Sequence, residues 1–145
     1  MIGLRHIGIT VCDLKKMKLF YEGLGFSGPE PTLEKGEYID NFYKMKGVEV
    51  VTLKMNDASK TGVLLELLQY QTHPSDSSST KSRSVVLPGI SHFALTVEGI
   101  DDLYQQLSSK GIEFNCKPQL SPDGKAKVAF CLDPEHNLIE LVQVM

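Results

Sequence analysis

An α+β fold built from two βαβββ modules is predicted by three observations in this 145-residue chain. Gly3-Leu4-Arg5-His6-Ile7-Gly8-Ile9-Thr10-Val11 aligns without a gap on Gly89-Ile90-Ser91-His92-Phe93-Ala94-Leu95-Thr96-Val97, and the same offset carries Gly25 onto Gly111. Each copy runs into a helical pattern that closes on that glycine. Each half also contains a near-identical apolar strand with one carboxylate at its centre, Leu64-Leu65-Glu66-Leu67-Leu68-Gln69 and Leu138-Ile139-Glu140-Leu141-Val142-Gln143.

The elements follow in order. After the first strand, Asp13 is the expected N-cap of a helix whose Leu14, Met17, Tyr21 and Leu24 fall on one face at three- and four-residue spacing. Gly25 ends it. Residues 28 to 47 form an insertion with Pro29, Pro31 and Gly36, then a short helix carrying Tyr38, Ile39, Phe42 and Met45, placed to roof a pocket. Val48 to Met55 and Val63 to Gln69 are strands flanking the polar turn at Asn56-Asp57.

The second half repeats the plan. Its helix presents Ile100, Leu103, Tyr104 and Leu107, with Gly111 just past the last turn, where a left-handed backbone is needed. Pro122-Asp123-Gly124 supplies a turn before the strand from Lys125 to Leu132. Asp133-Pro134-Glu135-His136 then leads into Asn137 to Val144. The modules span residues 1–71 and 89–145 of one structural domain; residues 72–88, with Ser75-Asp76-Ser77-Ser78-Ser79-Thr80, are a polar linker.

Composition narrows the function. Hydrophobic residues make up 41% and charged residues 23%, with a formal net charge of -3, so one compact domain is affordable and a dominant nucleic-acid or anionic-membrane surface is disfavoured. Cys12, Cys116 and Cys131 are odd in number and lack Cys-x-x-Cys spacing, which points to a reducing compartment rather than a disulfide or thiolate-zinc framework. No apolar run approaches the roughly 20 residues that span a bilayer, and the N-terminus enters a strand directly. A cytoplasmic, soluble protein is expected.

Four residues carry the chemistry. Strand alternation puts Leu4, His6, Gly8 and Thr10 on one face and Ile90, His92, Ala94 and Thr96 on the equivalent one. An unpaired carboxylate in an apolar strand is too costly to keep, so Glu66 and Glu140 are each expected to be buried against a cation or a strong hydrogen-bond partner. A lone strand histidine or buried glutamate is commonly structural; four ligand-type residues at corresponding positions of two repeats are not. A pseudo-twofold arrangement of the halves makes His6, Glu66, His92 and Glu140 a protein ligand set for one divalent ion: Ni, Co, Zn, Mn or Fe.

Six-coordination leaves two positions for adjacent substrate oxygens, so the ion can act as a Lewis acid on an enediolate formed by proton removal, with Glu140 or Glu66 as the base. The other candidates are weaker. His73 and His136 belong to exposed segments, Cys131 packs as a small apolar residue, and Tyr38, Phe42 and Tyr43 serve packing as readily as substrate contact. There is no phosphate-binding glycine loop and no nucleophile elbow.

These residues resemble the vicinal oxygen chelate superfamily, shared by glyoxalase I, methylmalonyl-CoA epimerase, extradiol dioxygenases and bleomycin-resistance proteins. The likeness rests on His6-Ile7-Gly8-Ile9, Phe20-Tyr21-Glu22-Gly23-Leu24-Gly25-Phe26, Leu65-Glu66-Leu67, Ser91-His92-Phe93-Ala94, and Phe130-Cys131-Leu132-Asp133-Pro134 leading to Asn137-Leu138-Ile139-Glu140-Leu141. It implies a U-shaped, partly closed mixed β-sheet barrel, metal ligation by His6, Glu66, His92 and Glu140, a small-molecule substrate and a homodimer. The His, Glu, His, Glu set is similar to that of glyoxalase I, while the long separation of Glu66 from His92 is more like the epimerase. His136 stands where family members often have glycine.

The expected function is therefore a metal-dependent lyase or isomerase that removes a proton beside a metal-bound carbonyl, lactoylglutathione lyase-like or acyl-CoA epimerase-like. The alternatives are a non-catalytic antibiotic-binding protein and, third, an Fe(II) ring-cleaving dioxygenase. A fourth protein ligand leaves less room for oxygen beside a catechol, and binding-only relatives usually lack the metal set.

Overall fold

A computed structural model describes residues 3–59, 62–74, 86 and 88–145. The chain divides into two compact units, Met1–Ser79 and Thr80–Met145. Most of the expected linker, 72–88, lies outside the described residues.

The first unit runs β1 (His6–Thr10), α1 (Leu14–Gly23), β2 (Thr32–Lys35), α2 (Glu37–Tyr43), β3 (Glu49–Asn56) and β4 (Leu64–Tyr70). Its sheet has the order β1-β4-β3-β2, with β1 parallel to β4 and the remaining pairs antiparallel. The second unit runs β5 (Phe93–Thr96), α3 (Ile100–Ser109), β6 (Gln119–Leu120), β7 (Ala126–Leu132) and β8 (Leu138–Val144), in the order β5-β8-β7-β6 with the same directions. Each unit is thus a βαβββ module, α2 being an addition to the first.

Periodicity accounts for the packing. Asp13 caps α1 by accepting a 2.9 Å hydrogen bond from the Lys16 N–H, and Leu14, Met17, Phe20 and Tyr21 are buried along the helix. That face lies against β4, on the side where Ile9, Leu53, Met55, Leu65 and Leu67 are buried. In the second unit Ile100 and Leu107 of α3 are buried, as are Ala129, Cys131, Ile139 and Leu141 of β7 and β8. Burying each such large aliphatic side chain stabilises by about 1.5 to 3 kcal/mol. Cys131 packs as a small apolar residue, and burial, aided by the Asp133 charge, pushes its thiol up to about 12.

The glutamine that ends each repeated strand segment has a role of its own. Gln69 donates from Nε2 to the Cys12 carbonyl at 2.7 Å, and Gln143 Oε1 accepts from the Ile100 N–H at 2.8 Å. Each ties the last part of its strand to the start of the module's main helix. The repeated sequence therefore encodes a ligand-type residue and a helix anchor three positions apart.

Candidate metal centre

In both units the parallel strand pair places the histidine beside the glutamate. Gly8 is in register with Glu66, and Ala94 with Glu140. His6 and His92 each stand two residues earlier, on the same face as that register position. His6 Nε2 lies 3.5 Å from Glu66 Oε2, and His92 Nε2 lies 3.3 Å from Glu140 Oε2. Strand alternation placed each histidine on a face of its own strand; the contact of each histidine with the glutamate of its own unit comes from the parallel strand pairing. His92 itself falls just before β5 rather than inside it.

The two carboxylates differ in burial. Glu66 is buried, with 12% of its side chain exposed, whereas Glu140 exposes 23%. Glu140 is less buried than its apolar strand suggested, because Ile139 and Leu141 point to the helix-covered face and leave Glu140 on the other. The histidines are more open still, at 44% for His6 and 35% for His92.

Neighbours that sequence reasoning missed set the pairs apart. The β3–β4 register puts Lys54 opposite Glu66, with Lys54 Nζ 3.4 Å from Glu66 Oε1 and 3.6 Å from Glu34 Oε1. At the equivalent position of β7–β8, Phe130 stands opposite Glu140. The Phe130 ring meets His92 edge to face at 5.2 Å, and Ser91 Oγ lies 2.9 Å from His92 Nδ1. Lys54 had a signal, a charge inside the otherwise apolar stretch Leu53 to Met55.

The addition α2 covers part of the face that carries Glu66. Ile39 packs with Val48 and Val50, against Leu68 and Tyr70, and Val50, Leu68 and Tyr70 share Glu66's side of the sheet. The Tyr43 ring meets Tyr70 edge-on at 5.5 Å, and burial, with the Tyr43 hydroxyl, raises the Tyr70 phenol above its ordinary value. Thr52 Oγ1, buried without a hydrogen-bond partner among the described residues, is on this face too. Tyr38 and Phe42 remain exposed, edge-on at 4.6 Å. His73 and His136 are exposed, as expected from their segments.

In chemistry both pairs suit a divalent ion; in spacing His92 and Glu140, at 3.3 Å, match one, and His6 and Glu66, at 3.5 Å, stand just beyond it. Two donors bound about 2.1 Å from one ion, at a right to tetrahedral angle, stand about 3.0 to 3.4 Å apart. Imidazole nitrogen with carboxylate oxygen suits borderline metals. Among the described residues no three His, Cys, Asp or Glu side chains gather into a single cluster, so the ligand-type groups come in twos.

Similar proteins place the architecture. Lactoylglutathione lyase of Schizosaccharomyces pombe is 30% identical over 147 residues, covering 96% of this chain and 46% of that protein. The chain thus spans about half the length of that relative. A glyoxalase family protein from Bacillus cereus has a TM-score of 0.90 at 19% identity, with 100% of this chain and 95% of that chain covered. A genomically encoded fosfomycin resistance protein from Listeria monocytogenes gives 0.66 at 15% identity, covering 100% and 95%. Both structures share the fold. No helix among the described residues is long and apolar enough to cross a membrane. The sequence profile of the Glyoxalase/Bleomycin resistance protein/Dioxygenase superfamily matches residues 3–141, and the chain belongs to that superfamily.

Proposed function

We propose that this protein is a metal-dependent lyase or isomerase of the glyoxalase type, with His6, Glu66, His92 and Glu140 as the ligands of one divalent ion per chain. The observation that carries the reading is the duplicated His–Glu pair at 3.5 and 3.3 Å, at or just beyond the donor spacing of a bound ion. Superfamily members typically use divalent metals, and the superfamily includes glyoxalase I as well as non-catalytic resistance proteins. The 30% identity to a lactoylglutathione lyase favours the catalytic branch.

When bound, a divalent ion supplies Lewis acidity that polarises adjacent substrate oxygens. The rest falls to the chain's own side chains. Glu140 is the better base: its Oε1 has no ion-pair partner among the described residues, and its side chain reaches solvent. It takes a proton from the carbon beside the substrate carbonyl and returns it to a neighbouring carbon or to the opposite face. Glu66, engaged at both oxygens, stays in place. Leu68 and Tyr70, with α2 above them, exclude water from one end of the face. A homodimer and a cytoplasmic location accompany this reading.

The test is proton exchange. Protein reconstituted with Ni, Co, Zn, Mn or Fe(II) is incubated in deuterium oxide with hydroxy ketones, hemithioacetals and 2-substituted acyl thioesters, and NMR follows label entry. Metal-dependent exchange in one substrate class is expected, at about one ion per chain. Native and reconstituted protein that hold no metal sink the proposal.

A further inference from the structure

We infer that Lys54 is the resident counter-ion of Glu66, which neutralises that ligand in the metal-free protein and moves onto Glu34 when a divalent ion binds. This rests on the metal reading above. A buried carboxylate needs a positive partner before the ion arrives, because an isolated charge at that depth is costly. Glu66 has one in Lys54 Nζ at 3.4 Å from Oε1. Glu140, less buried, faces Phe130 instead and has no lysine or arginine partner among the described residues.

Glu34 gives the ammonium a second anchor. Lys54 Nζ lies 3.6 Å from Glu34 Oε1, nearly as close as to Glu66, so the lysine bridges two carboxylates. Both acidic side chains share one face of the sheet: Glu34 is in register with Val50, which lies on the same side as Lys54 and Glu66. A divalent ion on Glu66 repels the ammonium, and the half-exposed lysine stem, 49% accessible, lets the ammonium turn to Glu34 without a backbone change. Lys54 is thus a positioning residue and a built-in competitor for the cation.

The proposal predicts opposite signs for two substitutions on one lysine bridge. Metal-free wild type, Lys54→Met, Lys54→Arg and Glu34→Gln are titrated with Mn and Zn by calorimetry, and their thermal midpoints are measured with and without metal. Lys54→Met is expected to bind the ion about tenfold more tightly, the scale of removing one unit charge near a divalent ion in a partly screened setting. It also melts earlier than wild type when metal-free, with the deficit closing once metal is added. Glu34→Gln, which denies the lysine its second anchor, weakens binding by a few fold, and Lys54→Arg stays close to wild type. Unchanged or weaker binding by Lys54→Met, with wild type binding normally, overturns this inference alone. A wild type that binds no divalent ion removes the metal reading and this inference together.

Discussion

In the first half the carboxylate is tied at both oxygens, Oε2 to His6 and Oε1 to Lys54, while His6 Nδ1 has no hydrogen-bond partner among the described residues. In the second half the imidazole is the restrained member. Ser91 holds His92 Nδ1 at 2.9 Å and Phe130 abuts the ring, but Glu140 keeps only its Oε2 contact. Two residues beside the pairs make the difference: Arg5 in one copy where Ser91 stands in the other, and Lys54 where Phe130 stands. The duplicated His–Glu pair thus keeps its two residues while its neighbours change, so that one carboxylate is held at both oxygens and the other at one.

The largest effect that can break this comparison is on turnover. Glu140→Gln is expected to lower it by about 10²- to 10⁴-fold, the range for removing a general base. Its loss of bound metal should be modest, because the amide oxygen still coordinates. Glu66→Gln should show the reverse emphasis: a neutral amide leaves the Lys54 ammonium, 3.4 Å away in the wild type, uncompensated beside the ion, so weakened metal binding dominates and activity recovers at high metal concentration. Steady-state kinetics across a metal titration separate the two; equal, metal-independent losses for both variants mean the halves are functionally equivalent.

The next test concerns the imidazoles. Ser91→Ala removes the partner that orients His92 and should weaken metal binding by about 10- to 100-fold, the usual scale for an outer-shell residue. Arg5→Ala, at the equivalent place, should change it far less. A chelator competition assay measures both, and similar losses would erase the distinction between a held and a free histidine.

Much of this was readable in the sequence, for reasons that also mark its limits. The repeat aligned His6 with His92 and Glu66 with Glu140, but the contact of each histidine with the glutamate of its own half follows from the parallel pairing of β1 with β4 and of β5 with β8, which alternation along a single strand does not give. Asp13, Gly25 and Gly111 marked helix ends by local chemistry alone: the capping bond of Asp13, and positive φ at both glycines. Lys54 escaped because its partner is set by hairpin register, and the β3–β4 connection is too long to fix register from turn type. The strands β2 and β6 escaped as well. Four and two residues long, with mostly exposed side chains, they carry no alternation to read. The apolar neighbours of Glu140 suggested deep burial, although in a strand they lie on the opposite face.

The smallest effect sharpens the comparison at the turns that enter β4 and β8. Gly62 and His136 each stand two residues before the strand, and both have positive φ, +91° for Gly62 and +65° for His136. A left-handed backbone costs an L-residue roughly 1 kcal/mol that glycine does not spend. The second turn tolerates that strain because Asp133 binds it together. Its Oδ1 accepts 2.9 Å hydrogen bonds from the Glu135 and Asn137 N–H groups, and its Oδ2 accepts one from Asn137 Nδ2 at 2.8 Å. His136→Gly therefore keeps every one of those bonds and relieves the backbone, while giving the unfolded chain more freedom to lose. The two terms partly offset, leaving a net stabilisation of about 0.5 kcal/mol, visible as a slightly higher denaturant midpoint with an unchanged slope. A lower midpoint would mean that the exposed imidazole holds the turn in a way glycine cannot, and that the two turns differ in more than their backbone.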